Sequence, residues 1–298
     1  MSRHIPIKIA FCVAYDWEYL KISLPLVYEH ADKIVLAVDK DRISWAGQAF
    51  HFDSAAFYAF VKGIDTAKKI DIYEDDFHLR DLAPMQNEVR QRNKMAERMG
   101  EGGWHIQLDT DEYFVDFAGF VAYLQKANYS RPVNITCPWY TMYKQTPDGY
   151  LFIKESKQEN IEFIPVATMH PHYEYGRRNS YFNIKTDFVI LHQSWARGED
   201  EILQKISNWG HKEDFDVMSY YSKWQQLNGS NHSELNDFHP VVAGKWTELE
   251  YIEGKDINAL LKTLRKKAPF YIDQDKLRKD NSIWRSRIRS VLSKIGLK

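Results

Sequence analysis

Apolar positions along the chain fall into short saturated runs separated by longer segments with a helical repeat. Residues 8–14 (KIAFCVA) and 33–38 (KIVLAV) are apolar almost throughout, the pattern of strands buried on both faces. Between them, residues 16–30 set Leu20, Leu24 and Val27 on one face and predict a helix despite Pro25. Residues 54–63 do the same with Phe57, Phe60 and Val61. A third strand is expected at 69–73, and a helix at 85–99 that stops at Gly100. Residues 104–108 (WHIQL) predict a fourth strand, which runs straight into Asp109-Thr110-Asp111-Glu112. Strand and helix in alternation predict an α/β fold with a doubly wound sheet.

After about residue 134 the pattern changes. Two strand-like runs, 135–143 and 150–155, flank Thr146-Pro147-Asp148-Gly149, whose residue types favour a turn. Further strand-like runs occupy 161–169 and 181–192, and helices are expected at 199–209 and 214–227. The second half is α+β in character, and the two halves read as one composite domain.

Composition narrows the function classes. The 298 residues are 44% hydrophobic and 27% charged, enough apolar material for a core and unlike a disordered chain. Aromatics reach 14%, a surplus that serves either a ring-stacking surface or a large core. From residue 262 onward, 12 Lys and Arg face 3 Asp, a net of +9; with −1 overall, the rest carries −10. Such an acidic body argues against broad nucleic-acid binding. Cys12 and Cys137 both sit in apolar runs, which argues against a disulfide framework or a cysteine zinc site. The apolar stretch at 7–15 is short for a signal peptide, and a cytoplasmic location is expected.

The acidic cluster carries the first chemical signal. Ligands of open α/β sheets bind at the carboxyl ends of the strands. Asp109 and Asp111, two apart in extended chain, share one side and offer hard oxygens to Mg²⁺ or Mn²⁺. A turn or helix cap built from the same aspartates is the alternative.

With Arg90-Gln91-Arg92-Asn93 preceding a strand that ends in Leu108-Asp109-Thr110-Asp111-Glu112-Tyr113-Phe114, the sequence resembles family 2 glycosyltransferases of the GT-A fold. Residues 38–47 take the place of that family's second strand and following loop, and Leu191-His192-Gln193-Ser194-Trp195-Ala196-Arg197 resembles a terminal element of its bacterial members. The resemblance covers about residues 5–215. It departs from the family at Tyr15-Asp16-Trp17-Glu18, where an Asn-Glu pair is usual, and in the position of Glu199-Asp200, which follows the His192 strand instead of preceding it.

The resemblance implies a metal-dependent, inverting transferase that takes a nucleoside diphosphate sugar, UDP-linked by preference, to a glycan or lipid-linked acceptor. It divides the chain into a GT-A domain at 1–245, with a nucleotide-sugar half (1–133) and an acceptor half (134–245), and a basic helical extension at 246–298. Tyr15 would stack on the base, and Asp39 would accept from a uracil imide or else end its strand as a turn residue. Arg92 would face the diphosphate or pin the acidic loop, and Arg197 would neutralise the diphosphate. Asp109, Asp111 and His192 would hold a divalent Mn²⁺ or Mg²⁺, with Glu112 orienting the loop; a structural role for His192 stays open. Asp200, with Glu199, Glu174 and Asp187 as alternatives, would be the catalytic base, although acids in a first helical turn also serve the macrodipole.

Trp139, Tyr140, Tyr143, Tyr173 and Tyr175 read equally as acceptor-stacking residues or as core, and His170-Pro171-His172 as an exposed loop. Residues 281–298 read as a basic amphipathic helix that either touches the inner face of an anionic membrane or packs on the acidic body. Two rivals remain from the residues: a catalytically silent glycan- or nucleotide-binding module, and an Asp-x-Asp phosphatase. The phosphatase motif belongs after the first strand, whereas Asp109 ends the fourth.

Overall fold

The computed structural model describes residues 4–154, 161–207, 215–266 and 272–282. In chain order its elements are β1 (Ile7–Val13), α1 (Leu20–Tyr28), β2 (Lys33–Asp39), α2 (Ser54–Ile64), β3 (Ile70–Asp75), α3 (Pro84–Met99), β4 (Trp104–Asp109), β5 (Glu112–Phe114) and α4 (Phe117–Lys126). There follow β6 (Val133–Thr146), β7 (Gly149–Lys154), β8 (Phe163–Thr168), β9 (Phe182–Lys185), β10 (Ile190–His192), α5 (Glu199–Ser207), α6 (Val217–Gln226), β11 (Glu248–Glu253), α7 (Ile257–Lys266) and α8 (Gln274–Asp280). The architecture is mixed α/β. The chain divides into two compact units, and β6 runs through both.

The first unit comprises Met1–Pro138, Phe163–Phe188 and Asp273–Lys298. Its sheet has the parallel order β3-β2-β1-β4, followed by β8 antiparallel to β4, the first part of β6 antiparallel to β8, and β9 parallel to β6. In β2 every residue after Lys33 is buried, as its saturated apolar pattern demands. Small side chains at Ala10 and Ala37 let α3 lie close on β1 and β2, where Met95 and Met99 pack with Val35 and Phe77. Fully burying each such apolar side chain contributes roughly 1.5–3 kcal/mol.

The second unit comprises Trp139–Glu162 and Val189–Ile272. Its strands follow the order β10-β6-β7-β11, with β10 parallel to β6 and the rest antiparallel. The core is aromatic: Tyr143, Trp195, Tyr221, Trp224 and Phe238 are buried together, with Tyr143 and Phe238 rings 4.9 Å apart edge to face. Much of the aromatic surplus therefore goes into packing, and Tyr143 serves the core, not an acceptor surface.

Three differences from the expected elements have physical reasons. The run at 181–192 is two strands that pair with β6 on either side of Pro138, which has no N–H to give: β9 lies along residues 133–136 and β10 along 139–141, and at Lys185 the Asn281 side-chain amide accepts from the N–H and donates to the carbonyl, both at 2.7 Å. The helix α4 had no forecast, since its dense apolar sequence masks a helical stripe of Phe117, Phe120 and Leu124 capped by Asp116. The division at 245 into a body and a helical extension is not followed: Glu248–Glu253 is a strand paired with β7, α7 lies in the second unit, and α8 lies in the first. The amphipathic helix expected at 281–298 falls, from residue 283 onward, outside the described residues. Among the described residues no helix is long and apolar enough to cross a membrane.

His105 in β4 is 1% exposed. Burial, reinforced by the Lys8 ammonium, pulls its pKa from 6.5 to about 4, with a smaller opposing effect from the Gly100 and Gly102 backbone. The unfolded chain therefore takes up this proton at a higher pH than the folded one, and stability falls as pH drops through that window. The expected loss from this group is on the order of 3 kcal/mol between about pH 6.5 and about pH 4. Urea midpoints compared at neutral and acid pH will carry this increment in the native sequence and lose it in His105→Leu.

Candidate functional site

In the order β3-β2-β1-β4, the chain winds outward from β1 in both directions, so β1 and β4 flank the point where the strand order reverses. Such a point leaves a crevice at the carboxyl ends of the strands. Asp109 ends β4 there, in register with Cys12 of β1, and Tyr15 follows β1.

The turn after β4 is held from several directions. The Asp109 N–H donates to Glu112 Oε2 at 3.0 Å, which closes the turn on itself. Ser23 of α1 donates its hydroxyl to the Thr110 carbonyl at 2.7 Å. Glu112, 1% exposed, meets Arg177 end-on: Arg177 Nη1 donates to Oε2 at 2.8 Å and Nη2 donates to Oε1. Arg177 Nη1 also donates to the Gln107 carbonyl at 2.9 Å, and Nη2 lies 3.9 Å from Asp109 Oδ2. Asp111 is buried in the same turn.

Arg92 supplies the second guanidinium. It is 2% exposed, donates from Nε to Glu88 Oε1 at 2.8 Å and from Nη2 to Asp109 Oδ1 at 3.0 Å. Its Nη1 is buried with no hydrogen-bond partner among the described residues. Of the two expected roles, then, Arg92 pins the acidic loop and still presents one unused donor. Burial works against the Arg92 charge, but Asp109 and Glu88 more than offset it and raise its pKa. The Glu112 pKa is raised as well: burial drives it up, and Arg177 opposes that rise. Cys12, beside this corner, is pushed up to about 12 by burial and stays a neutral thiol.

The structure brings together Asp109, Glu112 and Arg92 from the expected set, with Asp111 buried in the same turn. Asp39 takes the turn role: its Oδ1 accepts from the N–H groups of Asp41 and Ile43, and its Oδ2 from those of Phe77 and His78, all within 3.2 Å. Four donors occupy the lone-pair sites a carboxylate has, so a uracil imide finds no acceptor in Asp39. Tyr15 is 56% exposed beside Phe50.

His192, Arg197, Glu199 and Asp200 belong to the second unit. The His192 ring stacks on Trp139 at 4.0 Å, and Arg197 Nη1 lies 4.0 Å from Glu201. Glu199 accepts from the Gln225 amide at 2.8 Å, tying α5 to α6, while Asp200 is exposed in the first turn of α5. Asp187 accepts from the Gln274 amide, and Glu174 is exposed near His172. Tyr140 and Tyr173 are buried, and Tyr175 is exposed. Among the described residues no three His, Cys, Asp or Glu side chains are grouped to hold a metal ion by themselves.

Sequence reasoning missed Arg177 and Glu88, and named Asn93 only as part of the 90–93 motif, without its contact. Glu88 was findable from its i, i+4 spacing to Arg92. Arg177 was not, because it arrives from a loop 65 residues away from Glu112. That loop is braced by Asn93, whose amide accepts from the Tyr173 N–H at 3.1 Å and donates to the Tyr173 carbonyl at 3.0 Å.

Removing one partner of a buried ion pair strands the other charge. Arg177→Ala is expected to destabilise the protein by about 3–5 kcal/mol, read as a lower urea midpoint. The double variant Arg177→Met/Glu112→Leu is expected to regain much of that loss, since neither charge is then left alone. No protein-family model and no curated protein matches the sequence.

Proposed function

We propose that the chain is a nucleotide-sugar-dependent glycosyltransferase of the GT-A type. The observation that carries this reading is the Asp109–Glu112 turn at the β1/β4 carboxyl edge, where a buried guanidinium keeps one donor unused. Arg92 Nη1 is suited to a phosphate oxygen of the donor, because a buried N–H without an acceptor costs about 1–3 kcal/mol until one arrives. Tyr15, exposed after β1, is available to stack on the base.

The residues fit a divalent ion. Glu88, Asp109 and Glu112 set three carboxylates against the two guanidiniums of Arg92 and Arg177, so one negative charge is in excess, and Asp111 is buried in the same turn. Mg²⁺ and Mn²⁺ take hard oxygens from one or two carboxylates and complete their shell with substrate phosphates. Asp109 and Asp111 would hold the ion, which when bound neutralises charge on the departing diphosphate. Glu112 and Arg177 keep the turn from rearranging, and Arg92 holds Asp109 in place while reaching the diphosphate.

The test is a thermal-shift panel of UDP, GDP, CMP and dTDP, each with and without Mn²⁺. A ligand at a hundredfold excess over its dissociation constant adds roughly 2.7 kcal/mol to stability. A shift with one diphosphate that requires Mn²⁺ and vanishes in Asp111→Asn is expected, together with slow Mn²⁺-dependent hydrolysis of the matching sugar nucleotide. Nucleotide binding without hydrolysis favours the silent binding module, and no shift with any of the four overturns the reading.

A further inference from the structure

On the carboxyl edge of the first unit's sheet, a cleft of about 230 Å³ opens between the loops after β2 and β3. It is lined by Trp45, Gly47, His78, Arg80, Leu82 and Pro84. The space is roughly eight times one water's share of the liquid, enough for a small group.

Its walls are fixed from beneath by two amides of α3. Gln91 accepts the Trp45 indole N–H at 2.6 Å and donates to the Ala37 carbonyl at 3.1 Å. Asn87, 0% exposed, accepts the Leu79 N–H on Oδ1 at 3.0 Å, which sets the orientation of its amide. The nearest acceptors of its Nδ2 are the Trp45 carbonyl and His78 Nδ1, each at 3.1 Å. With Nδ1 accepting, the neutral imidazole carries its proton on Nε2. That edge of the ring faces Gly47, where a Cβ would stand 3.2 Å from both Cε1 and Nε2. Gly47 has φ +81°, so glycine both permits the turn and leaves the His78 N–H uncovered.

Charge points the same way. The acids of the preceding stretch have cations of their own: Asp71 with Arg98, Glu74 with Arg42, Asp75 with Lys94 and Asp76 with Lys40. Arg80 is exposed, enters no ion pair among the described residues, and lines a cleft whose wall contains no carboxylate. The polar side chains of that wall, a guanidinium and a fixed imidazole N–H, are donors.

We propose that this cleft is an anion site that takes a phosphoryl group. Arg80 supplies the charge and a planar donor fork, His78 supplies a directed N–H, and Trp45 forms an aromatic wall. The site adjoins the Asp109–Arg92 corner, since the Arg92 guanidinium lies 5.9 Å from the Trp45 ring centre on its own wall, but its donors are Arg80 and His78 and it stands whether or not the chain transfers sugars. Because the walls are already tied to α3, little ordering opposes binding.

Titration of the full-length protein with inorganic phosphate, followed by ¹H–¹⁵N NMR at the Trp45 indole N–H, tests the site. Trp45→Phe assigns the resonance. A saturable shift is expected, with affinity at least tenfold weaker in Arg80→Gln and in His78→Leu and unchanged in Asp111→Asn. Arg80 is exposed, so its variant keeps the fold. A parallel titration with phenyl phosphate separates a free ion from a ring-bearing ester: tighter binding of the ester assigns the cleft to esters, and equal binding to the ion. No saturable shift, or a shift that survives both cleft variants or disappears in Asp111→Asn, overturns the proposal.

Discussion

The architecture of the acidic corner depends on one buried contact, the end-on pairing of Glu112 with Arg177. A carboxylate that is 1% exposed needs a counter-charge in place, because transfer out of water otherwise outweighs what the turn gains. The pair also does more than neutralise. Through the Gln107 carbonyl and the Asp109 N–H it fixes the end of β4 and the start of the turn in one frame. The position of Asp109 therefore follows from this pair together with its own contact to Arg92.

A single turn of α3 distributes the remaining constraints. Successive helix residues point about 100° apart, so four in a row face every direction around the axis. Arg90 donates to the Asp76 carbonyl after β3, and Gln91 reaches Ala37 in β2 and Trp45 beyond it. Arg92 holds Asp109 at the end of β4, and Asn93 holds Tyr173 in the loop after β8. One turn thus fastens loops from four strands, and any substitution within it is felt at more than one place along the carboxyl edge.

The legible part of the fold was the part with local causes. Saturated apolar runs gave β1, β2 and β4, because a strand covered on both faces has no polar alternation to keep. The Asp109–Glu112 turn was readable because three acids after an apolar strand demand an explanation. What stayed hidden was set by distance along the chain. Nothing near Lys185 announces that Asn281 will stand in for a strand, and nothing near Glu112 announces Arg177. Asp39 was recognised as special from its place at a strand end, yet its task, accepting from two separate loops, becomes visible only when β2 and β3 lie side by side.

The long reach of Arg177 also sets an order of events during synthesis. Glu112 leaves the ribosome 65 residues before its partner, and the first unit needs Phe163–Phe188 to complete its sheet. At about 5–20 residues per second that interval lasts roughly 3–13 s. During it the nascent chain holds β1 to β4 with an acid whose burial has no compensation, so Glu112 stays hydrated and the corner open. The ion pair cannot form until residue 177 has emerged, so the compensation that allows Glu112 to be buried comes late in synthesis.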